Sequence, residues 1–238
     1  AIENFSNSWS LRFFDLIFNS LTLSLGAAVL TVTIAIFLIY ARRISGKKFL
    51  RIIVQIAGMG YAIPGAVLAV GIVVPLAIID NSIDSWLREN FSISSGLMLS
   101  GTVFALLFAY SVRFLTIALG QIESSIEKIS PSMDMAARSL GNTVGQVLMR
   151  FHLPLMRGGV LTALILVFVD CMKELPATLL LRPLNFETLA THVYHYASDE
   201  MLGEAALGCL TIVLVGLLPV LILSSMIANS RNSLPKQI

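Results

Sequence analysis

Charged residues are scarce in this sequence. Only 13% of its 238 residues are Asp, Glu, Lys or Arg, whereas soluble domains carry about 25%. Hydrophobic residues make up 56% of the chain, and its mean hydropathy is +0.85. The shortage of charge excludes an ordinary soluble domain and predicts an integral membrane protein.

The residue types that build catalytic and metal sites are also few. The two cysteines, Cys171 and Cys209, lie in apolar segments without the spacing of metal ligands or of a redox pair, so we interpret them as buried thiols. His192 and His195 form a pair without a third nearby ligand, which does not predict a metal site. No nucleophile motif and no Walker A loop occurs. The chain is therefore not expected to be an enzyme or to bind a metal or cofactor, and any use of ATP requires a partner chain.

Five stretches are apolar and long enough to cross a bilayer, which needs about 20 such residues. The predicted fold class is therefore all-α, a polytopic membrane protein with about five transmembrane helices. The predicted spans are residues 16–40, 52–79, 92–122, 158–181 and 205–230.

Basic residues are distributed unevenly between the loops. Segments 42–51 and 128–157 hold five and four of the 16 basic residues, and the tail adds Arg231 and Lys236. The other side holds only Arg12, Arg88 and Arg182. By the positive-inside rule, the start of the chain is predicted to lie outside (periplasmic), and its end and the 128–157 segment to lie in the cytoplasm.

The two loops predicted to lie outside are acidic. They carry Asp80, Asp84 and Glu89, and Glu187, Asp199, Glu200 and Glu204. We interpret these carboxylates either as solvated loop residues or as a docking surface for an extracytoplasmic partner.

Ionisable residues within predicted spans are costly and often functional. Asp170, Lys173 and Glu174 have the i, i+3, i+4 spacing that lets Asp170 pair with Lys173. This group is either a structural ion pair or the polar lining of a translocation path or its gate. Pro176 is expected to loosen the helix beside it. Arg113 is expected to snorkel to the cytoplasmic interface.

The second predicted span is rich in helix breakers. Apart from Pro64, these are Gly58, Gly60, Gly65, Gly71 and Pro75. Close helix packing through small residues explains them, and so does a kinked helix that lines a pore. In the second case Tyr61 and Pro64 are candidates for the path or gate.

Residues 130–159 form one long amphipathic stretch. Its apolar residues recur at the three-and-four spacing of a helical face. The helix is predicted to begin at Ser130, to bend at Gly141 and to end at Leu153 and Pro154. A helix of this kind between membrane spans is suited to contact a partner in water.

The sequence AARSLG, followed by nine residues and FHLP, resembles the EAA signature of binding-protein-dependent ABC transporter permeases. Met135 stands where that signature has glutamate, Phe151 stands at its aliphatic position, and Asp134 offers a negative charge nearby. The resemblance implies a cytoplasmic coupling loop at about 123–157 that seats on an ATPase. The implied coupling residues are Met135, Ala136, Ala137, Arg138, Leu140, Gly141, Asn142, Leu153 and Pro154.

Nearly the whole chain shares this resemblance. The runs GMGYAIPGAVLAVG and VFVDCMKELPATLLLRPLNFETLATHVYHYASDE look like the ferric-iron branch, in which two permease halves are commonly fused. The chain resembles the second half, and its first residue, Ala1, fits a piece of a longer protein. Permeases for thiamine, phosphonates and other small solutes have a similar layout and remain alternatives.

The resemblance implies a single permease domain over residues 1–238 with the type I ABC importer fold, in a bacterial inner membrane. Its implied partners are a periplasmic binding protein, a second permease half and a cytoplasmic ATPase dimer that holds ATP and Mg, but no nucleic acid. The alternative function is an ATP-independent secondary transporter with Asp170, Lys173 and Glu174 as a proton relay. The lack of inverted hydropathy repeats disfavours this alternative.

Overall fold

Helices make up almost all of the part of the chain that the structure, a computed structural model, describes. The backbone is described for residues 11–232 and the side chains for residues 12–221 and 225. The predicted inner-side charges of Arg231 and Lys236 lie outside the described side chains. The α-helices are α1 (Leu11–Ser45), α2 (Lys48–Ala57), α3 (Gly65–Phe91), α4 (Val103–Ile126), α5 (Pro131–Ser139), α6 (Val144–Val147), α7 (Leu153–Met172), α8 (Pro176–Leu181), α9 (Leu189–Ser198) and α10 (Leu202–Asn232).

Five helical stretches within these residues are long and apolar enough to cross a membrane, which confirms the predicted number. The limits of all five spans differ from the prediction. Residues 52–57 belong to the separate helix α2, residues 92–102 form a loop before α4, and the fourth span is displaced towards the start of the chain. The spans are Arg12–Ser45, Gly65–Phe91, Val103–Ile126, Val144–Met172 and Leu202–Leu221.

Helix α4 lies at the centre of the fold and is the most buried of the five spans. It packs against α1 and α7 on its long sides and against α3 and α8 elsewhere. Ala105, Ala109 and Ala118 are fully buried and let neighbouring helices approach closely. A Cβ atom added at Gly60 would lie 2.0 Å from the Val112 carbonyl oxygen of α4, so the expectation of close packing is confirmed at this glycine.

The amphipathic stretch is two helices rather than the single bent helix that we predicted. Helix α5 begins after Ser130, whose Oγ accepts a hydrogen bond from the Ser132 N–H at 3.3 Å. Gly141 then has φ = +85°, a left-handed conformation that favours glycine and separates α5 from α6. Thr143 caps α6 through reciprocal hydrogen bonds with Gln146.

The helix does not end at Leu153 and Pro154, contrary to the prediction. A π-helical turn, Leu148–His152, joins α6 directly to α7, and the Leu153 N–H bonds to the Leu148 carbonyl. Pro154 is therefore the second residue of α7, directly after the π-helical turn that accommodates it within the continuous helix. One continuous helical stretch of 29 residues, Val144–Met172, leads from the amphipathic segment into the bundle.

Two of the acidic residues assigned to an outer loop have internal roles instead. Asp80 is 1% exposed, and its carboxylate accepts backbone N–H bonds from Leu99 at 2.9 Å and from Ser100 at 2.7 Å. Asp84 accepts the Ser95 N–H at 2.8 Å and pairs with Arg88 at 2.6 Å. Both carboxylates hold the loop between α3 and α4, so neither solvation nor docking explains them.

Candidate functional site

Two interruptions of the helical structure lie on the same side of α4. The first separates α2 from α3 at residues 58–64, and the second separates α7 from α8 at residues 173–175. Tyr110, Arg113 and Thr116 of α4 have three-residue spacing, which places them along one helical face. Tyr110 and Thr116 each bond to one of the two interruptions, and Arg113 bonds to both.

The first interruption is fastened to α4 through its backbone. Thr116 Oγ1 donates to the Gly58 carbonyl at 2.6 Å and accepts the Tyr61 N–H at 3.4 Å, and Arg113 Nη1 donates to the Ile63 carbonyl at 2.7 Å. Non-helical backbone at membrane depth requires such partners because lipid offers none.

The second interruption follows the same rule. Thr178 Oγ1 donates to the Glu174 carbonyl at 2.5 Å, and the Tyr110 hydroxyl lies 2.5 Å from Thr178 Oγ1. The Ala177 N–H donates to Glu174 Oε1 at 3.4 Å. The expectation that Pro176 loosens the helix beside it is confirmed, because α7 ends at Met172 and α8 begins only at Pro176.

An ion pair joins the two interruptions. Arg113 Nε lies 3.1 Å from Glu174 Oε2, and the two side chains are 17% and 8% exposed. Arg113 occupies the middle of α4, so the expectation that it snorkels to the interface is wrong. A Cβ added at Gly65, next to Pro64, would lie 2.6 Å from Glu174 Oε1, so the start of α3 fits closely against the carboxylate.

Tyr61 lies beside this ion pair. The centre of its ring is 5.9 Å from the Arg113 guanidinium carbon, and the ring is about half exposed. The structure thus brings together Tyr61, Glu174 and Pro176 of the predicted path residues, with Pro64 at the start of α3. We call the group Tyr61, Arg113 and Glu174 the membrane cluster.

The predicted ion pair between Asp170 and Lys173 is present, with Lys173 Nζ 2.7 Å from Asp170 Oδ1. Glu174 does not join it, because its carboxylate turns to Arg113. The Lys173 side chain is 63% exposed, whereas that of Asp170 is 17% exposed. The predicted group of three is therefore divided into two ion pairs with separate partners.

The predicted coupling residues lie at the other end of the bundle. Met135 is 67% exposed and Leu140 is 81% exposed, whereas Ala137 is 4% exposed and packs inward. Arg138 is exposed and forms no ion pair within residues 12–221. The Asn142 side-chain amide donates to the Ala137 carbonyl at 2.9 Å, which closes the turn around Gly141. The remaining members, Ala136, Gly141 and Pro154, are exposed, and Leu153 is half-buried.

Both carboxylate oxygens of Asp134 have partners within the protein. Its Oδ2 accepts the Arg43 Nε–H at 2.7 Å, and its Oδ1 lies 2.5 Å from His152 Nε2. It therefore does not replace the glutamate that the signature has at Met135. We call Arg43, Asp134 and His152 the coupling-end cluster.

His192 and His195 of α9 both contact neighbouring side chains. The His192 ring lies edge-on to Tyr196, with ring centres 4.6 Å apart, and burial lowers the pKa of His192. His195 Nε2 lies 3.3 Å from a guanidinium nitrogen of Arg182.

Sequence reasoning missed most residues of the two clusters. Arg113 was visible as a lone charge in an apolar span, and that charge was the available signal. Arg43 was counted only as one of many basic loop residues, and nothing local to His152 distinguished it. The ion-pair partner of Arg113 lies 61 residues away, and that of Arg43 lies 91 residues away. Sequence periodicity carries no information at such separations.

No family model matches the chain. It is 31% identical over 206 residues to the "Fe(3+)-transport system permease protein FbpB 2" of Haemophilus influenzae, an alignment that covers 86% of this chain and 37% of that protein. It is 24% identical over 217 residues to the "Putative 2-aminoethylphosphonate transport system permease protein PhnV" of Salmonella typhimurium, with coverages of 91% and 75%. The chain thus spans little more than a third of the ferric-iron relative.

Two solved structures share the arrangement of helices. One is a bacterial alginate ABC transporter in complex with an alginate pentasaccharide-bound periplasmic protein, with a TM-score of 0.68, 17% identity and coverages of 92% and 79%. The other is the MetNI methionine ABC transporter in an inward-facing conformation, with a TM-score of 0.58, 16% identity and coverages of 91% and 98%. The all-α polytopic fold and the resemblance seen in the sequence are confirmed.

Proposed function

We propose that this chain, whose fold is that of ABC importer permeases, forms one half of the translocation path of an ATP-driven importer. The observation that carries the proposal is the exposed segment around Gly141. It presents Met135 and Leu140 at the end of the bundle, within the residues that resemble the EAA signature. Large apolar side chains at a water-facing turn favour a protein partner.

That partner is a pair of cytoplasmic ATPase subunits, which hold ATP and Mg. The ATPase contacts α5 and the Gly141 turn through the apolar side chains of Met135 and Leu140. Arg138 is exposed and can pair with an acidic residue of the ATPase. If α5 and the Gly141 turn face the cytoplasm, the end of the chain also lies in the cytoplasm and its start lies in the periplasm, as the distribution of basic residues predicts.

The membrane cluster is the proposed gate. Helix α7 is continuous from α6 to Met172, so a displacement at the coupling segment reaches the interruption at Glu174 directly. There the pair with Arg113 fastens α7 and α8 to α4 and to the start of α3. Opening this pair, together with the Asp170–Lys173 pair beside it, changes the polar lining near Tyr61, Pro64 and Pro176.

Ferric iron is the proposed cargo, since the ferric-iron permease is the relative with the higher identity of the two described. A phosphonate is the alternative cargo. A periplasmic binding protein is proposed to deliver either one, and a second permease half completes the path. Fusion of that half to this chain is supported by the length of the ferric-iron relative.

Reconstituted transport tests the proposal. The complete protein is placed in proteoliposomes with its ATPase and a cargo-loaded binding protein, and uptake of radioactive iron is compared with uptake of 2-aminoethylphosphonate. We expect iron uptake that requires ATP. Uptake driven by a proton gradient without ATP would refute the proposal in favour of the secondary transporter, although the division of Asp170, Lys173 and Glu174 into two pairs disfavours a continuous proton relay.

A further inference from the structure

One carboxylate makes the side-chain hydrogen bonds and ion pairs that join α5 to the membrane spans within residues 12–221. We propose that Asp134 is the positioning residue that makes α5 move as one body with the ends of α1 and α7. The inference rests on the proposed function, because it names the joint through which an ATPase would act on the spans.

The two oxygens of Asp134 bind two different elements. Oδ2 accepts the Arg43 Nε–H at 2.7 Å, and Arg43 lies in the last turn of α1. Oδ1 lies 2.5 Å from Nε2 of His152, the last residue of the π-helical turn before α7. The carboxylate therefore bridges α1 and α7 while it is attached to α5.

Both partners of Asp134 are themselves held in place. The Arg43 guanidinium also donates to the Ile126 carbonyl at 2.7 Å and to the Ile129 carbonyl at 2.8 Å, at the end of α4. The Ile126 carbonyl, which also accepts the Ile129 N–H, ends α4, and Ile129 lies in the turn that follows. Arg43 thereby adds α4 to the elements that meet at Asp134.

His152 is fully buried. The Tyr40 ring of α1 lies edge-on to the imidazole, with ring centres 5.3 Å apart, and the Tyr40 hydroxyl donates to the Val144 carbonyl at 2.7 Å. Nδ1 of His152 is buried and has no hydrogen-bond partner. A carboxylate oxygen is a hydrogen-bond acceptor, so the Nε2–H of His152 is the donor in this bond.

Within residues 12–221, no other polar side chain of α5 bonds to the spans. Among residues 12–221, every side-chain hydrogen bond and ion pair between α5 and the spans involves Asp134. The other inward contact of α5 is the buried methyl group of Ala137. On the far side, the chain passes through Gly141, whose left-handed conformation ends the helix and transmits no helical rigidity.

Asp134 is also shielded enough to act as a joint. Its side chain is 26% exposed, that of Arg43 is 16% exposed and that of His152 is 0% exposed. An ion pair in such a setting holds its geometry better than a fully hydrated surface pair, which contributes little. Loss of the negative charge should therefore loosen α5 without unfolding the spans.

The test compares Asp134→Asn with Arg51→Gln in the complete transporter. Asparagine keeps the size of the side chain but retains only one acceptor oxygen, so one of the two bridges is lost. Arg51 lies on α2 outside the coupling loop, is exposed and forms no ion pair within residues 12–221, which makes Arg51→Gln a control that also removes one charge. Assembly with the ATPase, ATP hydrolysis and cargo uptake are measured on the same proteoliposomes.

We expect Asp134→Asn to assemble and to hydrolyse ATP at about the normal rate, while uptake per ATP falls about tenfold or more, a usual size for coupling between sites. Arg51→Gln should leave uptake per ATP unchanged. A normal ratio in Asp134→Asn would overturn the role of Asp134 alone. Absence of ATP-driven uptake by the unchanged protein would refute the proposed function and this inference with it.

A distance measurement keeps the inference testable if Asp134→Asn fails to insert. Spin labels are attached to cysteines at Ser45, the last residue of α1, and Ser139, the last residue of α5, both exposed. Cys171 is buried, as interpreted from the sequence, but Cys209 is exposed, contrary to that interpretation, and is replaced by serine. In the otherwise unchanged transporter we expect the same distance with and without ATP, and a distance that changes with ATP would contradict a rigid joint.

Discussion

At two places in the molecule an arginine fastens a helix end to a carboxylate. In the membrane cluster, Arg113 donates to the Ile63 carbonyl and pairs with Glu174. In the coupling-end cluster, Arg43 donates to two carbonyls at the end of α4 and pairs with Asp134. The planar guanidinium suits both because its several donors are fixed in direction.

The two clusters differ in the access of water. The Glu174 side chain is 8% exposed and lies within the bundle, whereas that of Asp134 is 26% exposed at its end. Water can replace a lost partner at the second site but not at the first. The comparison therefore predicts that the same kind of substitution costs stability in the membrane cluster and mainly costs coupling in the other.

Glu174→Ala should have the largest effect on stability. It leaves the Arg113 charge without a partner, which costs about 3–5 kcal/mol for a buried pair. Unfolding in detergent, followed by loss of helical signal against denaturant, measures this cost. The double substitution Arg113→Met with Glu174→Met should recover most of the stability, because it leaves no unpaired charge. A double variant as unstable as Glu174→Ala would show that the charge is not the cause.

Gly65→Ala should have the next largest effect. The added Cβ would lie 2.6 Å from Glu174 Oε1, so the carboxylate or the start of α3 must shift. Overpacking of this kind costs about 1–3 kcal/mol. Gly71→Ala is the matched control on the same helix, since its Cβ would meet nothing within 4 Å. Equal stabilities of the two variants in the same unfolding experiment would argue against close packing at the membrane cluster.

Asp134→Ala should cost less than Glu174→Ala. Arg43 keeps its two carbonyl acceptors, and water reaches the site, so we expect a loss of about 1–2 kcal/mol, within the range for a partly buried hydrogen-bonded group. The same denaturant series on both alanine variants measures the difference. A cost equal to that of Glu174→Ala would remove the distinction between the two clusters.

The sequence was informative where interactions are local. Hydropathy gives the number of spans, and the three-residue spacing of Asp170 and Lys173 gives their ion pair. It was misleading at Pro154, because a π-helical turn accommodates the proline and the helix continues. Both clusters join elements far apart in the chain, so the pairing of each arginine depends on helix packing that no short pattern encodes.

Met135→Glu should have the smallest effect on stability and should act on the partner instead. Met135 is 67% exposed, so its replacement should change the free energy of unfolding by less than about 0.5 kcal/mol, as for most surface substitutions. It restores the glutamate that the resembled signature has at this position. If the ATPase surface is matched to an apolar side chain here, the new carboxylate is buried without a partner and binding weakens.

Titration of the ATPase against the detergent-solubilised permease measures this effect. We expect the dissociation constant to rise several-fold for Met135→Glu, equivalent to about 1 kcal/mol. Met98→Glu is the control, because Met98 is 56% exposed and lies in the loop between α3 and α4, outside the coupling loop. Tighter binding by Met135→Glu would mean that the ATPase has a basic residue facing this position. Met135 would then have lost an ion pair with the ATPase and not replaced it with an apolar contact.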